Sequence, residues 1–201
     1  MNKPPRSVEV LEKASLYQDY YRTDKYRLQY EQFRGGMGQP VWREVLERGH
    51  AATVLPFDPQ RDEVVLIEQF RIGPFAAGHQ PWTIEVVAGI VEQGEEPEEV
   101  TRREAVEEAG CTIAEMEPIA GVFPSAGVVS EYNWHFVGRV SSEGVGGIHG
   151  LDHEGEDIKV LVMPRPEAED LVRQRRIQTG QALISLLWLA LNHQYLKARW
   201  T

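Results

Sequence analysis

The chain has 201 residues, 42% of them hydrophobic, and carries 31 acidic against 21 basic side chains for a formal net charge of −10. That is enough apolar material for one domain with a real core, and the acidic balance argues against a nucleic-acid surface, which needs clustered Lys and Arg. A single cysteine, Cys111, excludes an internal disulfide and fits a reducing compartment, and the opening MNKPPRSVEVLEK lacks the apolar h-region of a secretory signal, so a cytoplasmic protein is expected.

In chain order, residues 1–14 are expected to be loose. Residues 24–48 hold two alternating segments, KYRLQYEQF and VWREVLER, joined by GGMGQP, the pattern of a β-hairpin. Short apolar runs suited to strands follow at 52–57 (ATVLPF), 64–70 (VVLIEQF) and 83–91 (TIEVVAGIV), with the turn DPQRD between the first two. A helix is expected over 97–109. EYNWHFVGRV (131–140) alternates apolar and polar, 141–157 reads as a Gly-rich loop, and IKVLVM (158–163) reads as a further strand. Helices are expected over 166–175 and 180–197. The run ALISLLWLAL within the last is about half the length a membrane span needs, so it reads as a buried helix. Strands interleaved with helices predict an α+β fold, a mixed β-sheet sandwiched between helices.

The chemistry concentrates in residues 89–111, GIVEQGEEPEEVTRREAVEEAGC. Pro97 suits the first turn of a helix, where its missing N–H is no loss. Glu95, Glu96, Glu98 and Glu99 place negative charge near the positive end of the helix dipole. Gly110 fits the left-handed position that ends a helix. Between these ends, Glu104, Glu107 and Glu108 share one side, where like charges destabilise a bare helix by roughly 0.2–0.5 kcal/mol per pair. A hard divalent cation reverses that sign, and an oxygen-rich site suits Mg²⁺, which keeps several waters and accepts phosphate oxygens. With one cysteine and no H-x3-H pair, zinc-type ligation is not expected, and the six histidines show no ligand spacing.

The spacing G-x5-E-x7-R-E-U-x-E-E-x-G-U, with U an apolar residue, resembles the signature of the Nudix hydrolases in Gly89, Glu95, Arg103, Glu104, Glu107, Glu108 and Gly110. Ala105 and Cys111 stand where larger aliphatics are common. Over nearly its full length the chain is similar to the bacterial ADP-ribose pyrophosphatase branch of that family. The segments that carry this are 48–73, PWTIEVVAGIVEQGE (81–95), FPSAGVVSE (123–131), GIHGLDHEGEDIKV (147–160) and the tail with LLWLALNH. Pro124 stands near where ADP-ribose-specific members carry a proline.

The resemblance implies a Nudix fold with an N-terminal β-hairpin extension, residues 1–50, that swaps between subunits of a homodimer, followed by a hydrolase domain over 51–201. It implies Mg²⁺-dependent hydrolysis of ADP-ribose to AMP and ribose 5-phosphate, with Mn²⁺ as a substitute ion, and neither nucleic acid nor membrane as a partner. Glu104, Glu108, Glu156 and the main-chain carbonyl of Ala88 match metal ligands. Glu154 matches the general base, with Glu107 a further catalytic candidate and Glu131 after it. Arg71 and Arg43 match contacts to the diphosphate or terminal ribose. Tyr20 falls where an aromatic ring from the partner subunit lies against adenine, and Tyr21 beside it is an alternative. Arg103 matches an arginine that pairs with the residue at Glu95, and Gly89 and Gly110 frame the motif. Two rival readings remain. One is a pyrophosphatase for another nucleoside diphosphate sugar or dinucleotide, and the other is a domain that senses ADP-ribose without turnover.

Overall fold

The computed structural model describes residues 7–151, 153 and 155–201. The chain divides into two compact units, one formed by the chain up to His50 with Phe123–Tyr132, the other by Ala51–Val122 with Asn133–Thr201.

The first unit is a three-stranded antiparallel sheet of β1 (Val8–Gln18), β2 (Arg22–Tyr30) and β3 (Val41–Glu47), in that order. The expected hairpin is β2 with β3, from Arg22 beside Glu47 to Leu28 beside Val41. The expectation that residues up to 14 are loose is overturned from Val8 onward, because β1 pairs with β2 along its length. Its sequence hides this. All eleven residues of β1 are exposed, so the strand carries no core-facing period and is held by backbone pairing instead. Asp24 on β2 is buried and anchors the pairing through Lys13 at 3.0 Å and Arg22 at 3.0 Å. The Phe123–Tyr132 segment joins the unit through the Leu46 N–H, which donates to Val128 O at 2.8 Å, and through an Arg48–Glu131 ion pair.

The second unit holds β4 (His50–Asp58), β5 (Glu63–Phe70), α1 (Ile72–Ala76), β6 (Trp82–Glu85), β7 (Val87–Val91), α2 (Pro97–Ala109), β8 (Glu115–Val122), β9 (Asn133–Arg139), β10 (Gly147–His149), β11 (Ile158–Pro164), α3 (Arg165–Arg173) and α4 (Gly180–Trp200). Its sheet runs β10-β11-β5-β4-β9-β8, with β6 on β5 and β7 on β4. β4 and β9 are parallel, whereas β5 with β11 and β8 with β9 are antiparallel, so the sheet is mixed.

Strand alternation sends side chains to two faces. Ala52, Val54, Val65, Ile67 and Val87 pack with Val100, Ala105 and Ala109 of α2. Leu55, Phe57, Val64 and Leu66 pack with Ala168 of α3 and Ala182, Leu186, Leu189 and Leu196 of α4. The sheet therefore lies between helices, as the α+β expectation has it. The single strand expected over 83–91 is two. β6 ends where Glu85 pairs with Ile67 on β5, and after Val86 the chain joins β4 as β7. Among the described residues no helix is long and apolar enough to cross a membrane.

Candidate active site

The acidic helix α2 begins and ends as its sequence dictates. Pro97 occupies its first turn, and Gly110 caps it in the left-handed region at φ 62°. The cap is closed by two N–H donors, Gly110 to Val106 O at 3.1 Å and Cys111 to Ala105 O at 2.8 Å. Gly110 also has the His149 ring against it: a Cβ there would stand 2.9 Å from His149 Cε1.

The carboxylates face β7. Glu108 is 3% exposed and accepts the Ala88 N–H through Oε2 at 3.0 Å. Glu104 lies against Gly89, where a Cβ would come within 2.3 Å of Glu104 Oε1 and 2.4 Å of its Cγ. Gly89 is therefore glycine for room: its missing side chain is the cradle of the Glu104 carboxylate. Burial pushes Glu104 up to about 7, with the charges of Glu107 and Glu156 adding to it and Arg103 opposing. Burial likewise pushes Glu108 up to about 8; the Ala88 N–H and Arg71 oppose, while Glu104 and Glu156 add. Two desolvated carboxylates one turn apart, near the charge of a third, form an oxygen-only pocket whose ionised form calls for a cation.

Arg103 and Glu95 are arranged differently from the expected pair. Arg103 Nη1 lies 2.8 Å from Glu104 Oε1 and 3.1 Å from Glu107 Oε2, while Glu95 accepts the Glu92 N–H at 2.9 Å and closes the turn before the helix. A long arginine stem reaches back over its own neighbour, so adjacency to Glu104 does not turn it away. Glu95 enters the surroundings of Arg103 only as a more distant charge.

Arg71 stands at the end of β5, where the strand gives way to α1. Its Nε lies 3.2 Å from both Glu85 oxygens and its Nη2 2.9 Å from Glu85 Oε2. Burial works against the cation, and Glu85, Glu108 and Glu156 outweigh it, so Arg71 is held above the usual guanidinium value. Glu85 is the residue that sequence reasoning missed. A charge inside an apolar strand run, TIEVVAGIV, was the available signal.

Glu156 is half-buried, and its Oε2 accepts the Leu151 N–H at 3.1 Å. Glu154, the expected base, lies outside the described residues. Tyr20 and Arg43 belong to the other unit. Tyr20 is 78% exposed with its ring edge-on to Tyr21 at 4.7 Å, and Arg43 on β3 donates to the Trp42 carbonyl at 2.8 Å.

The donor set fits a hard divalent cation. Among the described residues no three His, Cys, Asp or Glu side chains close into a metal-holding group on their own. A cation that retains several waters and shares phosphate oxygens does not require such a closed cage. A separate cavity of about 300 Å³, lined in part by Asp58, Arg139 and Trp200, involves none of these carboxylates.

A glycine-cradled glutamate helix of this kind, on a mixed sheet between helices, defines a class of hydrolase. The NUDIX domain model matches residues 47–182, and the chain belongs to the Nudix family. Within that family it is 45% identical over 193 residues to the ADP-ribose pyrophosphatase of Escherichia coli (strain K12), covering 96% of this chain and 92% of that one. It is 39% identical over 200 residues to the ADP-ribose pyrophosphatase of Haemophilus influenzae, covering 97% and 91%. A crystal structure of an ADP compounds hydrolase superposes with a TM-score of 0.70 over 99% of each chain at 16% identity, which supports the fold.

Proposed function

We propose that the protein hydrolyses the diphosphate bond of ADP-ribose to AMP and ribose 5-phosphate, using Mg²⁺. The observation that carries this is the pair of half-buried Glu104 and buried Glu108, set against Gly89 and Ala88 in a chain 45% identical to a named ADP-ribose pyrophosphatase. Glu104, Glu108, Glu156 and the Ala88 carbonyl would hold the metal. When bound, the ion neutralises phosphate oxygens and makes a water more acidic.

The chain's own residues do the rest. Arg71 offers a planar guanidinium to the diphosphate, a fork that matches two oxygens. The water oxygen forms the new bond to phosphorus, the bridging P–O bond breaks, and the bridging oxygen leaves on the second phosphate monoester. Glu154 takes the proton of the attacking water, with Glu107 the next carboxylate to test. Arg103, paired with both Glu104 and Glu107, ties these two carboxylates together.

The active form in this reading is a cytoplasmic homodimer. β1, exposed along its length with Val8, Val10, Leu16 and Tyr17 among its side chains, is the strand a second copy would cover. Tyr20 and Arg43 then serve the adenine and diphosphate of the partner's site. The test is nucleoside monophosphate release, AMP from ADP-ribose or NADH and GMP from GDP-mannose, with Mg²⁺ and with chelator. ADP-ribose should be turned over fastest and only with the ion. Preference for GDP-mannose or NADH would move the substrate, and tight ADP-ribose binding with no turnover would move the class.

A further inference from the structure

Arg71 faces two demands in the hydrolase just described. It must meet a diphosphate, and it must not collapse onto the carboxylates around it. A cation on a flexible stem within the field of Glu108 and Glu156 would turn to them unless something else held it.

Glu85 provides that hold. Three contacts converge on one edge of the guanidinium: Nε to both Glu85 oxygens at 3.2 Å, and Nη2 to Oε2 at 2.9 Å. Arginine has five N–H donors, and among the described residues the guanidinium makes no other hydrogen bond. Its Nη1 edge is left for another acceptor. Glu85 is itself fixed, being 8% exposed and accepting the Thr83 hydroxyl at 2.5 Å. Both partners sit on one ladder. Glu85 is registered beside Ile67 on β5, the strand that ends next to Arg71, and the Arg71 N–H donates to Pro81 O at 2.8 Å just before β6. A site residue locked by a buried neighbour on rigid strands keeps its geometry before substrate arrives.

We propose that Glu85, steadied by Thr83, is the positioning residue for diphosphate recognition: it fixes the Nε edge of Arg71 so that the Nη1 edge faces a phosphate oxygen, and it keeps Arg71 off Glu108 and Glu156. This rests on the hydrolase reading above. The sign of one measurement separates it from a bystander role. A bystander carboxylate only repels the substrate's negative charge, so neutralising it lowers KM. A positioning carboxylate raises KM when neutralised, because the freed arginine must be ordered again on binding.

The experiment compares KM and kcat for ADP-ribose in Glu85→Gln, Thr83→Val, Arg71→Met and the Arg71→Met/Glu85→Gln double variant, each with its melting curve. Glu85→Gln should raise KM about 3- to 30-fold, a range set by how much arginine rotamer freedom must be frozen again, with kcat changed less. Thr83→Val should give a smaller rise, about twofold by the same reasoning. In the Arg71→Met background Glu85→Gln should raise KM no further, since non-additivity marks residues that act through each other. A fall or no change in KM for a folded Glu85→Gln protein overturns the proposal, as does an equal rise with and without Arg71. If Glu85→Gln does not fold, Thr83→Val decides, and an unchanged KM there overturns it. Unchanged KM in Arg71→Met also overturns it, while AMP release by the parent keeps the hydrolase reading. Should the parent release no AMP, that reading fails instead, and the same series read as Kd for ADP-ribose by calorimetry still tests Glu85.

Discussion

The helix α2 with its neighbour β7, and the sheet β1-β2-β3, handle polar residues in opposite ways. The first buries its carboxylates. Glu108 is almost wholly enclosed, Glu104 lies in the gap left by Gly89, and both are pushed well above the usual carboxylate range. The second leaves its edge strand outside: β1 is exposed throughout, Tyr20 stands 78% exposed, and Asp24 on β2 is buried but answered by Lys13 and Arg22. A region that accepts the cost of desolvating charge without full pairing is built around a ligand that returns that cost. A region that exposes aromatic and aliphatic side chains on a strand is built for a surface it does not itself supply. The first is where the proposed chemistry concentrates, and the second is where the proposed dimer is to be tested.

The largest effects should come from the buried carboxylates. Glu104→Gln or Glu108→Gln should lower kcat by about 10² or more, the scale of one key electrostatic group. Glu154→Gln should fall in a similar range of about 10²–10⁴ if it is the base, with little change in substrate binding. The fold should survive in the Glu104 and Glu108 variants, because neutralising a carboxylate in a desolvated site relieves it. Near-normal turnover in both the Glu104 and Glu108 variants would remove the metal assignment. Gly89→Ala sharpens the same point from the opposite side. Its methyl would displace the Glu104 carboxylate without touching its charge, so the Mg²⁺ concentration for half-activity should rise about tenfold or more with melting little altered. A Gly89→Ala enzyme with normal metal dependence would show that the close approach does not matter.

The N-terminal sheet should give a smaller effect and a different kind. Ring-on-base stacking is worth roughly 1–3 kcal/mol, so Tyr20→Ala should raise KM for ADP-ribose about 5- to 100-fold, with kcat affected less. Mixing Tyr20→Ala with Glu104→Gln protein then tests the assembly. If Tyr20 serves the neighbouring chain, a mixed dimer holds one site with both defects and one with neither, and low-KM activity returns. If each site uses its own Tyr20, every site keeps one defect and nothing is restored. A monomer by light scattering, or no recovery once subunit exchange is demonstrated, would defeat the shared site.

How far this contrast could be read from residues alone follows the same division. Helix α2 was legible to its boundaries, because Pro97 and Gly110 mark its ends and its glutamates keep a helical spacing. The two-sided core was legible because β4 and β5 are continuous apolar runs. β1 was missed because its exposed residues follow no burial period, and β8 because Pro118 lacks a donor and the ladder slips between Pro118 and Ala120. β10 was read as loop because glycine dominates its neighbourhood. In the site, spacing could identify Glu104 and Glu108 because both lie on one helix. It could not identify the Arg71–Glu85 fork, whose partners are 14 residues apart and meet only once β5 and β6 pair. Nor could it place Arg103, whose reach is a matter of rotamer.

The smallest predicted effect is also the most direct measure of what α2 holds in reserve. The folded values of Glu104 and Glu108, about 7 and about 8, lie above their ordinary 4.5. The stability tied to their protonated forms is complete below that ordinary value and is lost as pH rises through the two folded values. Of the other shifted groups, the Cys111 thiol, pushed up to about 11 by burial, adds to this loss only as pH nears its ordinary 9.0, and the rest act elsewhere. Asp58 and Asp62 are held below the usual carboxylate range, and His135, pushed down to about 4 by burial, affects stability only below its ordinary 6.5. Between pH 7 and 9 the metal-free protein should therefore lose about 2 kcal/mol, or about 4–8 °C in Tm for a chain of this size. If Mg²⁺ is held by the ionised carboxylates, as proposed, it should raise Tm more at pH 9 than at pH 7 and flatten the fall. Glu108→Gln should flatten it without the ion. A level metal-free profile across this window, or equal stabilisation by Mg²⁺ at both ends, would mean that the buried glutamates are already ionised and paired by protein groups alone, and the contrast with the N-terminal sheet would lose its physical basis.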